Sequence, residues 1–330
     1  MEGVSDPIDR ALLNDWQRDF PITERPFGVL AETLGTSETN VIERLRARTE
    51  AGQVTRLGAT CAPNTISAST LAAVAAPEDR IEEVAEIIGA EPGVNHSYLR
   101  ENDWNLWFVA TGPDRAHVDG ALDRIAQRSG LRVLDLRLVR PFNLDLGFSL
   151  HGDDRRAPPR QAPDTDVLQP GDREIVQALM RGLPLNARPY AAIANTLGRD
   201  EAEVMARIRV LSAARIIARL GVIVRHRALG WRSNAMVVWD LPHDTITRAG
   251  PVLAAQPGVT LCYERTPVAG VWPYRLYSMI HAQSRKEALA RLAAAAAVLP
   301  ELQGAPHLAL FSNRCFKQTG ALVAKERTIA

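Results

Sequence analysis

"DFPITERPFGVLAETLG" (19–35) and "GLPLNARPYAAIANTLG" (182–198) align without a gap at a shift of 163 residues, and that alignment decides how the chain is built. The same shift brings Asp9-Arg10 onto Asp172-Arg173, Val41 onto Val204, Arg44 onto Arg207, and Arg56-Leu57-Gly58 onto Arg219-Leu220-Gly221. Further along, "EPGVNHSYLR" (91–100) matches "QPGVTLCYER" (256–265) at a shift of 165. The chain is a tandem duplication.

Each copy divides in the same way. A first helix (9–19, 172–182) leads to a turn carrying Pro26 or Pro189, a short helix ending in Leu-Gly, and a third helix with apolar Val41 and Leu45, or Val204, Ile208 and Leu211. Three short helices around a turn read as a helix-turn-helix unit. Strand-like segments follow at 68–75, 94–99, 104–110 and 132–139, then at 222–227, 235–240, 259–264, 274–280 and 307–311. Helical patterns at 78–89, 114–129, 245–255 and 284–298 lie between them. The order β-α-β-β-α-β predicts an α+β fold: a ferredoxin-like antiparallel sheet with its helices on one face. Its open face needs a cover, and the second copy supplies one as an intramolecular pseudo-dimer. The expected units are 1–58, 59–150, 172–221 and 222–330. They are joined by a flexible proline-rich linker at 151–171, "HGDDRRAPPRQAPDTDVLQPG".

Composition narrows the function. A net charge of +1 gives no whole-molecule field for nucleic acid or an anionic membrane. Lysine occurs only at Lys286, Lys317 and Lys325, so nearly all basic chemistry is arginine. Cys61, Cys262 and Cys315 stand far apart, which argues against a metal knuckle or disulfide framework and suggests a reducing cytoplasm. No apolar run reaches membrane-spanning length. In 34–50 Arg44, Arg46 and Arg48 are balanced by Glu38, Glu43 and Glu50; in 197–213 Arg199, Arg207 and Arg209 meet Asp200, Glu201 and Glu203. A recognition helix without surplus positive charge disfavours DNA binding.

The stretch "GVNHSYLRENDWNLWF" (93–108) points elsewhere. With the period of two of a strand, His96, Tyr98 and Arg100 share one face; the matching face of the second copy carries Leu261, Tyr263 and Arg265. The next strand adds Trp104, Asn105 and Trp107 in the first copy. In the second it adds Tyr274, Arg275 and Tyr277, after an insertion containing Trp272. "RHRALGW" (225–231) sets Arg225 and Arg227 on one side and His226 on the other, provided the strand runs that far. Aromatic walls rimmed by arginines suit a large flat polyanion, through stacking and bidentate carboxylate bonds. His117, His151, His243 and His307 have no such company, and His281 is left unassigned.

The architecture resembles the Lrp/AsnC transcription regulators over nearly all of both copies. The narrower motifs "GVNHSYLRENDWNLWF", "RHRALGWRSNAMVVW" (225–239) and "CYERTPVAGVWPYRLYSMIH" (262–281) resemble the sirohaem decarboxylases, in the fused form found in haem d1 biosynthesis. That resemblance implies a cytoplasmic carboxy-lyase of denitrification. It would convert sirohaem to 12,18-didecarboxysirohaem by removing the acetate carboxylates of rings C and D, with no cofactor, sirohaem being the substrate. Expected catalytic residues are His96 and His226, as proton donors or by contacting the substrate iron, assisted by Tyr98 and Tyr263. Arg100, Arg265, Arg225, Arg227 and Arg275, with Trp104, Asn105, Trp107, Trp272 and Tyr277, are the expected substrate-binding set; the protein holds no metal of its own. Partners implied are sirohaem and its decarboxylated products, with a second copy of the chain or other haem d1 biosynthesis proteins as macromolecular candidates. The alternative is an Lrp/AsnC-type regulator that senses a tetrapyrrole. Leu261 in place of a histidine makes the two pseudo-equivalent pockets unequal and favours one productive pocket per chain.

Overall fold

The computed structural model describes residues 4–144, 147 and 162–324. In the first copy α1 (Pro7–Asn14), α2 (Pro26–Leu34) and α3 (Glu38–Glu50) lead into β1 (Val54–Cys61). Next come β2 (Ala68–Val74), α4 (Ile81–Ala90), β3 (Val94–Arg100), β4 (Leu106–Gly112), α5 (Arg115–Ser129), β5 (Val133–Leu136) and β6 (Leu138–Asn143). The second copy repeats this as α6 (Asp172–Arg181), α7 (Pro189–Leu197), α8 (Glu201–Ala213) and β7 (Ile217–Val224). It continues as β8 (Ser233–Trp239), α9 (His243–Ala254), β9 (Val259–Arg265), β10 (Leu276–Ala282), α10 (Arg285–Ala296), α11 (Pro300–Gln303) and β11 (His307–Gln318).

The duplicated stretch builds its helices by duplicated punctuation. Pro26 and Pro189 open α2 and α7, where a missing N–H costs nothing; Gly35 and Gly198 close them in the left-handed conformation at φ 63° and 65°. Ser37 and Asp200 cap α3 and α8 by accepting the N–H groups of Asn40 and Glu203. The two helix-turn-helix units then share one apolar core: Leu12, Leu13, Phe27 and Leu30 pack in the same cluster as Ile175, Leu179, Tyr190 and Ile193. The Tyr190 hydroxyl donates to Pro21 O across the copies at 2.8 Å.

Strands β1 and β7 pair antiparallel as a two-stranded ribbon in which Gly58 faces Gly221. A Cβ on Gly58 would collide with Leu179 O, and one on Gly221 with the backbone of Trp16 and Gln17. Each ribbon strand thus lies against the first helical segment of the other copy, and only glycine permits that approach. The divisions expected at 58–59 and 221–222 fall inside these strands.

The other nine strands form one array in the order β5-β2-β4-β3-β11-β8-β10-β9-β6. Its two ends are consecutive in the chain, because β5 runs into β6 across Arg137. Each copy's last strand is shared. β11 pairs β8 through His307–Phe311 and then β3 through Ser312–Gln318; β5 pairs β2 of its own copy while β6 pairs β9 of the other. Helices α4 and α5 cover one outer face over Val84, Ile88, Phe108 and Ile125. Helices α9 and α10 cover the other over Ile246, Leu253, Leu276 and Leu292. The inner faces meet in a mixed core that includes Leu71, Trp107, Leu136, Met236, Tyr277, Met279 and Leu310. The expected pseudo-dimer therefore forms through exchange of strands as well as facing sheets.

Two expectations are corrected. The strand placed at 222–227 ends at Val224, and His226–Leu229 form a 3₁₀ turn closed by Gly230 at φ 98°. The later part of the expected flexible linker is packed: Val167 and Leu168 rest on the helix-turn-helix core, Asp164 N donates to Ala214 O at 2.9 Å, and Arg207 reaches Val167 O. Its one apolar pair suffices to anchor it, despite the prolines before it. Residues 151–161, His151 among them, lie outside the described residues. Among the described residues no helix is long and apolar enough to cross a membrane.

Candidate active site

Strand β3 is paired on both sides, by β4 and β11, so its inner face is held rigidly. His96, Tyr98 and Arg100 lie on that face, while Leu99 turns towards the α4–α5 core. The His96 and Tyr98 rings stack with centroids 6.4 Å apart, and the Arg100 guanidinium carbon sits 5.5 Å from the Tyr98 ring. Enclosure lowers the His96 pKa to about 4, and the positive charge of Arg56 pushes in the same direction. The phenol of Tyr98 lies opposite Cys315 in the β3–β11 pairing and is pushed well above its usual range by burial, so it is neutral.

Arg100 begins a directional chain. Its Nη1 donates to Leu310 O at 3.0 Å and to Asn234 Oδ1 at 3.2 Å. A guanidinium can only donate, so the Asn234 amide presents its oxygen to Arg100 and its NH₂ to His281 Nε2, 2.9 Å away. His281 therefore carries its proton on Nδ1, which meets Thr260 Oγ1 at 2.8 Å; that hydroxyl donates onward to Met279 O at 3.2 Å. Burial, followed by the charges of Arg100 and Arg291, lowers the His281 pKa to about 4. The chain fixes a neutral tautomer. His226 stands beside it, its ring centroid 5.7 Å from that of His281.

The second copy repeats the frame and changes the contents. Arg265 Nη1 donates to Leu136 O at 2.6 Å, as Arg100 does to Leu310 O, and its guanidinium carbon lies 4.6 Å from the Tyr263 ring. Tyr263 stacks on Tyr277 at 5.6 Å, and the Tyr277 hydroxyl accepts from Trp272 Nε1 at 2.8 Å. Trp272 in turn packs on Trp107 at 5.3 Å. Trp107, Tyr277 and Trp272 are exposed by only 1%, 0% and 3%, so all three are core. The Tyr263 ring is therefore already occupied by Tyr277 and Arg265, and Trp272 closes the core behind Tyr277.

This placement revises parts of the expected set. Trp107, Trp272 and Tyr277 wall the inner core. Asn105 spends both ends of its amide on Ala76, accepting its N–H at 3.0 Å and donating to its carbonyl at 2.8 Å. Trp104 is half-buried at the edge of the same core, and its carbonyl accepts from Trp107 Nε1. Arg100 and Arg265, expected at a strand rim, are clamps on the shared strands. Because the strand ends early, Arg225 is exposed with its N–H on Gln53 O, and Arg227 reaches Ser312 O at 3.4 Å. Both guanidinium charges act on Cys315, so they flank the β3 face from outside. Arg275 contributes its backbone, joining Trp239 O and Arg265 N. The residues brought together are His96, Tyr98 and Arg100, with His226 nearby through His281. His281, Asn234 and Thr260 were not singled out from sequence; the shared parity of Tyr277, Met279 and His281 on β10 was the available signal.

The site is electropositive. Among the described residues none of Arg56, Arg100, Arg225, Arg227 or Arg265 forms an ion pair with Asp or Glu, and the Nε groups of Arg56, Arg100 and Arg265 are buried without a partner. A cleft of about 600 Å³ beside the β3–β4 turn is lined by Glu78, Glu101 and Asp103 against Arg100 alone, a net negative set that disfavours an anion. No three His, Cys, Asp or Glu side chains converge as a metal site among the described residues.

Known proteins match the whole of this arrangement. A "Siroheme decarboxylase NirDL-like HTH domain" family model matches residues 9–54 and 172–217, and an "AsnC-like ligand binding domain" model matches 66–143 and 228–317. The siroheme decarboxylase NirDL subunit of Paracoccus pantotrophus is 56% identical over 321 residues, covering 97% of this chain and 98% of that one. The chain belongs to the sirohaem decarboxylase family. The siroheme decarboxylase of Hydrogenobacter thermophilus is 30% identical, covering 92% of this chain and 90% of that protein. A crystal structure of the siroheme decarboxylase NirDL in complex with an iron-uroporphyrin III analogue superposes with a TM-score of 0.68 at 26% identity, covering 97% of this chain and 95% of that one.

Within a sirohaem decarboxylase the helix-turn-helix arginines have inward roles. Arg44 and Arg48 both bridge Asp9, at 3.1 and 2.9 Å, and Arg207 bridges Asp172 at 2.8 Å. Arg46 donates to Leu185 O, and its counterpart Arg209 donates reciprocally to Ile22 O. The third helices thus tie the two units together with the side chains a regulator would offer to phosphates, which weighs against the regulator alternative.

Proposed function

We propose that this chain decarboxylates the acetate groups on rings C and D of sirohaem, acting as a lyase without a resident cofactor. The observation that carries the reading is the β3 face. His96 and Tyr98 sit there among arginines that, among the described residues, no carboxylate neutralises, in a chain 56% identical over 321 residues to a siroheme decarboxylase subunit. The substrate supplies the missing carboxylates, through charge-assisted hydrogen bonds worth about 1.5–3 kcal/mol each.

In each step the bond between the acetate methylene and its carboxylate breaks. Carbon dioxide leaves, the electron pair is delocalised into the macrocycle, and a proton closes the methyl group. His96 is the proton donor in this reading. It is neutral while the site is empty, and the negative charge of the arriving substrate favours its protonation, so the acid forms where it is used. His226 and His281 lie on the second copy's side, and His281, locked with Nδ1–H outward to Thr260, positions Asn234 and through it Arg100. A guanidinium on the departing carboxylate would stabilise the ground state, so the arginines hold the carboxylates that stay. With Tyr263 stacked on Tyr277 and Leu261 where the first copy has His96, one chamber serves both decarboxylations. The three separated cysteines favour the cytoplasm, with a second copy of the chain or other haem d1 biosynthesis proteins as partners.

The test is anaerobic incubation of the full chain with sirohaem, followed by mass analysis of the extracted tetrapyrrole. Stepwise loss of two carbon dioxide units is expected. A tetrapyrrole that stays bound but unchanged would overturn the reading in favour of a sensor.

A further inference from the structure

We propose that Arg56, on the ribbon strand of the first helix-turn-helix unit, binds a carboxylate of the substrate, so that this unit is part of the substrate site. The proposal rests on the decarboxylase reading and extends it to a residue outside the sheet domains.

Arg56 differs from the arginines around it. Arg44 and Arg48 share Asp9, and Arg207 holds Asp172, all within their own units. The Arg56 guanidinium has one weak bond, Nη2 to Ala59 O at 3.3 Å, and its Nε is buried without a partner. Among the described residues it has no ion pair with Asp or Glu. Burial lowers its pKa to about 10, and Arg219 adds to the effect. An enclosed cation beside another cation, with donors unspent, is an unfavourable arrangement that a bound anion relieves.

Its position directs that anion to the catalytic face. The stem of Arg56 lies over Gly182, where a Cβ would come within 3.4 Å of its own Cβ, and Leu183 N donates to Leu57 O at 2.6 Å. Met180, just before this corner, abuts Gly320; Thr319 N donates to Asn95 O at 2.7 Å, and Gln318 pairs with His96. Ribbon, α6 corner and the segment that follows β11 therefore converge on the His96 end of β3. Arg56 is the residue whose charge disfavours the His96 imidazolium there. A carboxylate that neutralises Arg56 removes this opposition, so substrate binding and protonation of His96 are coupled through one guanidinium. The carboxylate held is one that remains on the macrocycle, for the ground-state reason given above.

The test uses the full chain with Arg56→Gln and Arg56→Lys. Iron uroporphyrin is titrated by absorbance, with iron protoporphyrin as a probe bearing fewer carboxylates, and the pH profile of kcat/KM for sirohaem is recorded. Arg56→Gln is expected to weaken iron uroporphyrin binding by about tenfold to a hundredfold, to change iron protoporphyrin binding much less, and to move the alkaline limb of the profile, which the proton donor sets, upward. Arg56→Lys should retain the wild-type pH profile with intermediate affinity, as a charge without the fork geometry. Equal loss for both porphyrins, or wild-type affinity and pH profile in the glutamine variant, would overturn the proposal. If that variant does not fold, the lysine variant decides: wild-type affinity for iron uroporphyrin would overturn it. A wild-type chain that leaves sirohaem unchanged overturns the decarboxylase reading instead, and the porphyrin titrations do not depend on turnover.

Discussion

Arg100 and Arg265 make the same hydrogen bond at the same place in two copies of one fold, to the carbonyls of Leu310 and Leu136, yet they border different interiors. Beside Arg100 stand Tyr98, Asn234 and His281, and hydrogen bonds from Arg100 through Asn234 to His281 keep polar atoms in fixed directions. Beside Arg265 stand Leu261, Tyr277 and Trp272, closely packed and apolar. Duplication kept the clamp, which the shared strands require, and released the pocket. One interior retained ligand chemistry, and the other took up packing. The lesson is that matching motifs in a duplicated chain report a common scaffold before they report a common activity.

The largest expected effect tests the packed side. Trp272→Ala should cost about 3–5 kcal/mol of stability, because it opens a cavity and leaves the buried Tyr277 hydroxyl without its donor. Trp104→Ala, at a half-buried edge, should cost clearly less, both read from urea denaturation. A Trp272→Ala chain of near wild-type stability that binds a second tetrapyrrole would break the comparison.

The next effect belongs to the polar side and depends on pH. His96 and His281 have folded pKa values of about 4, against about 6.5 in an unfolded chain. Between these values the unfolded state binds more protons, so their contribution to stability is complete above about pH 6.5 and is lost as the pH falls towards 4. For the fully buried His281 the loss is roughly 3 kcal/mol. Urea midpoints at pH 7.5 and 4.5 measure it, and His281→Gln should reduce the difference between them. An unchanged difference in that variant would place the acid sensitivity elsewhere.

The smallest effect is the most discriminating. Leu261→His puts an imidazole on the second face, yet the packed Tyr263–Tyr277–Trp272 core beside it is unchanged. Sirohaem turnover should therefore stay within about twofold of wild type, about 0.4 kcal/mol on the barrier. A doubled stoichiometry of bound tetrapyrrole would show that both faces are open.

Much of this was legible because it depends on local periodicity. The repeated proline and glycine punctuation gave the helix-turn-helix units, and the period of two placed His96, Tyr98 and Arg100 on one face despite the register shift between Val94 and His96. What escaped depends on contacts between distant segments. Asn105 looks like a ligand-facing amide until Ala76, twenty-nine residues earlier, uses both of its ends. His281 meets the β3 face because β11 crosses from β8 to β3, a path that no local pattern encodes. Arg225 and Arg227 were misplaced because a strand and a 3₁₀ turn are equally compatible with "RHRALG".

The crossing of β11 also sets a time order. Nascent chain emerges from the ribosome with β3 complete long before Ser312–Gln318 exist, so one edge of β3 stays unpaired until β11 is made. The face that carries His96 is finished only when Ser312–Gln318 are threaded between the two halves. A chain stopped short of Gln318 leaves that edge open, so the proposed substrate site waits for β11.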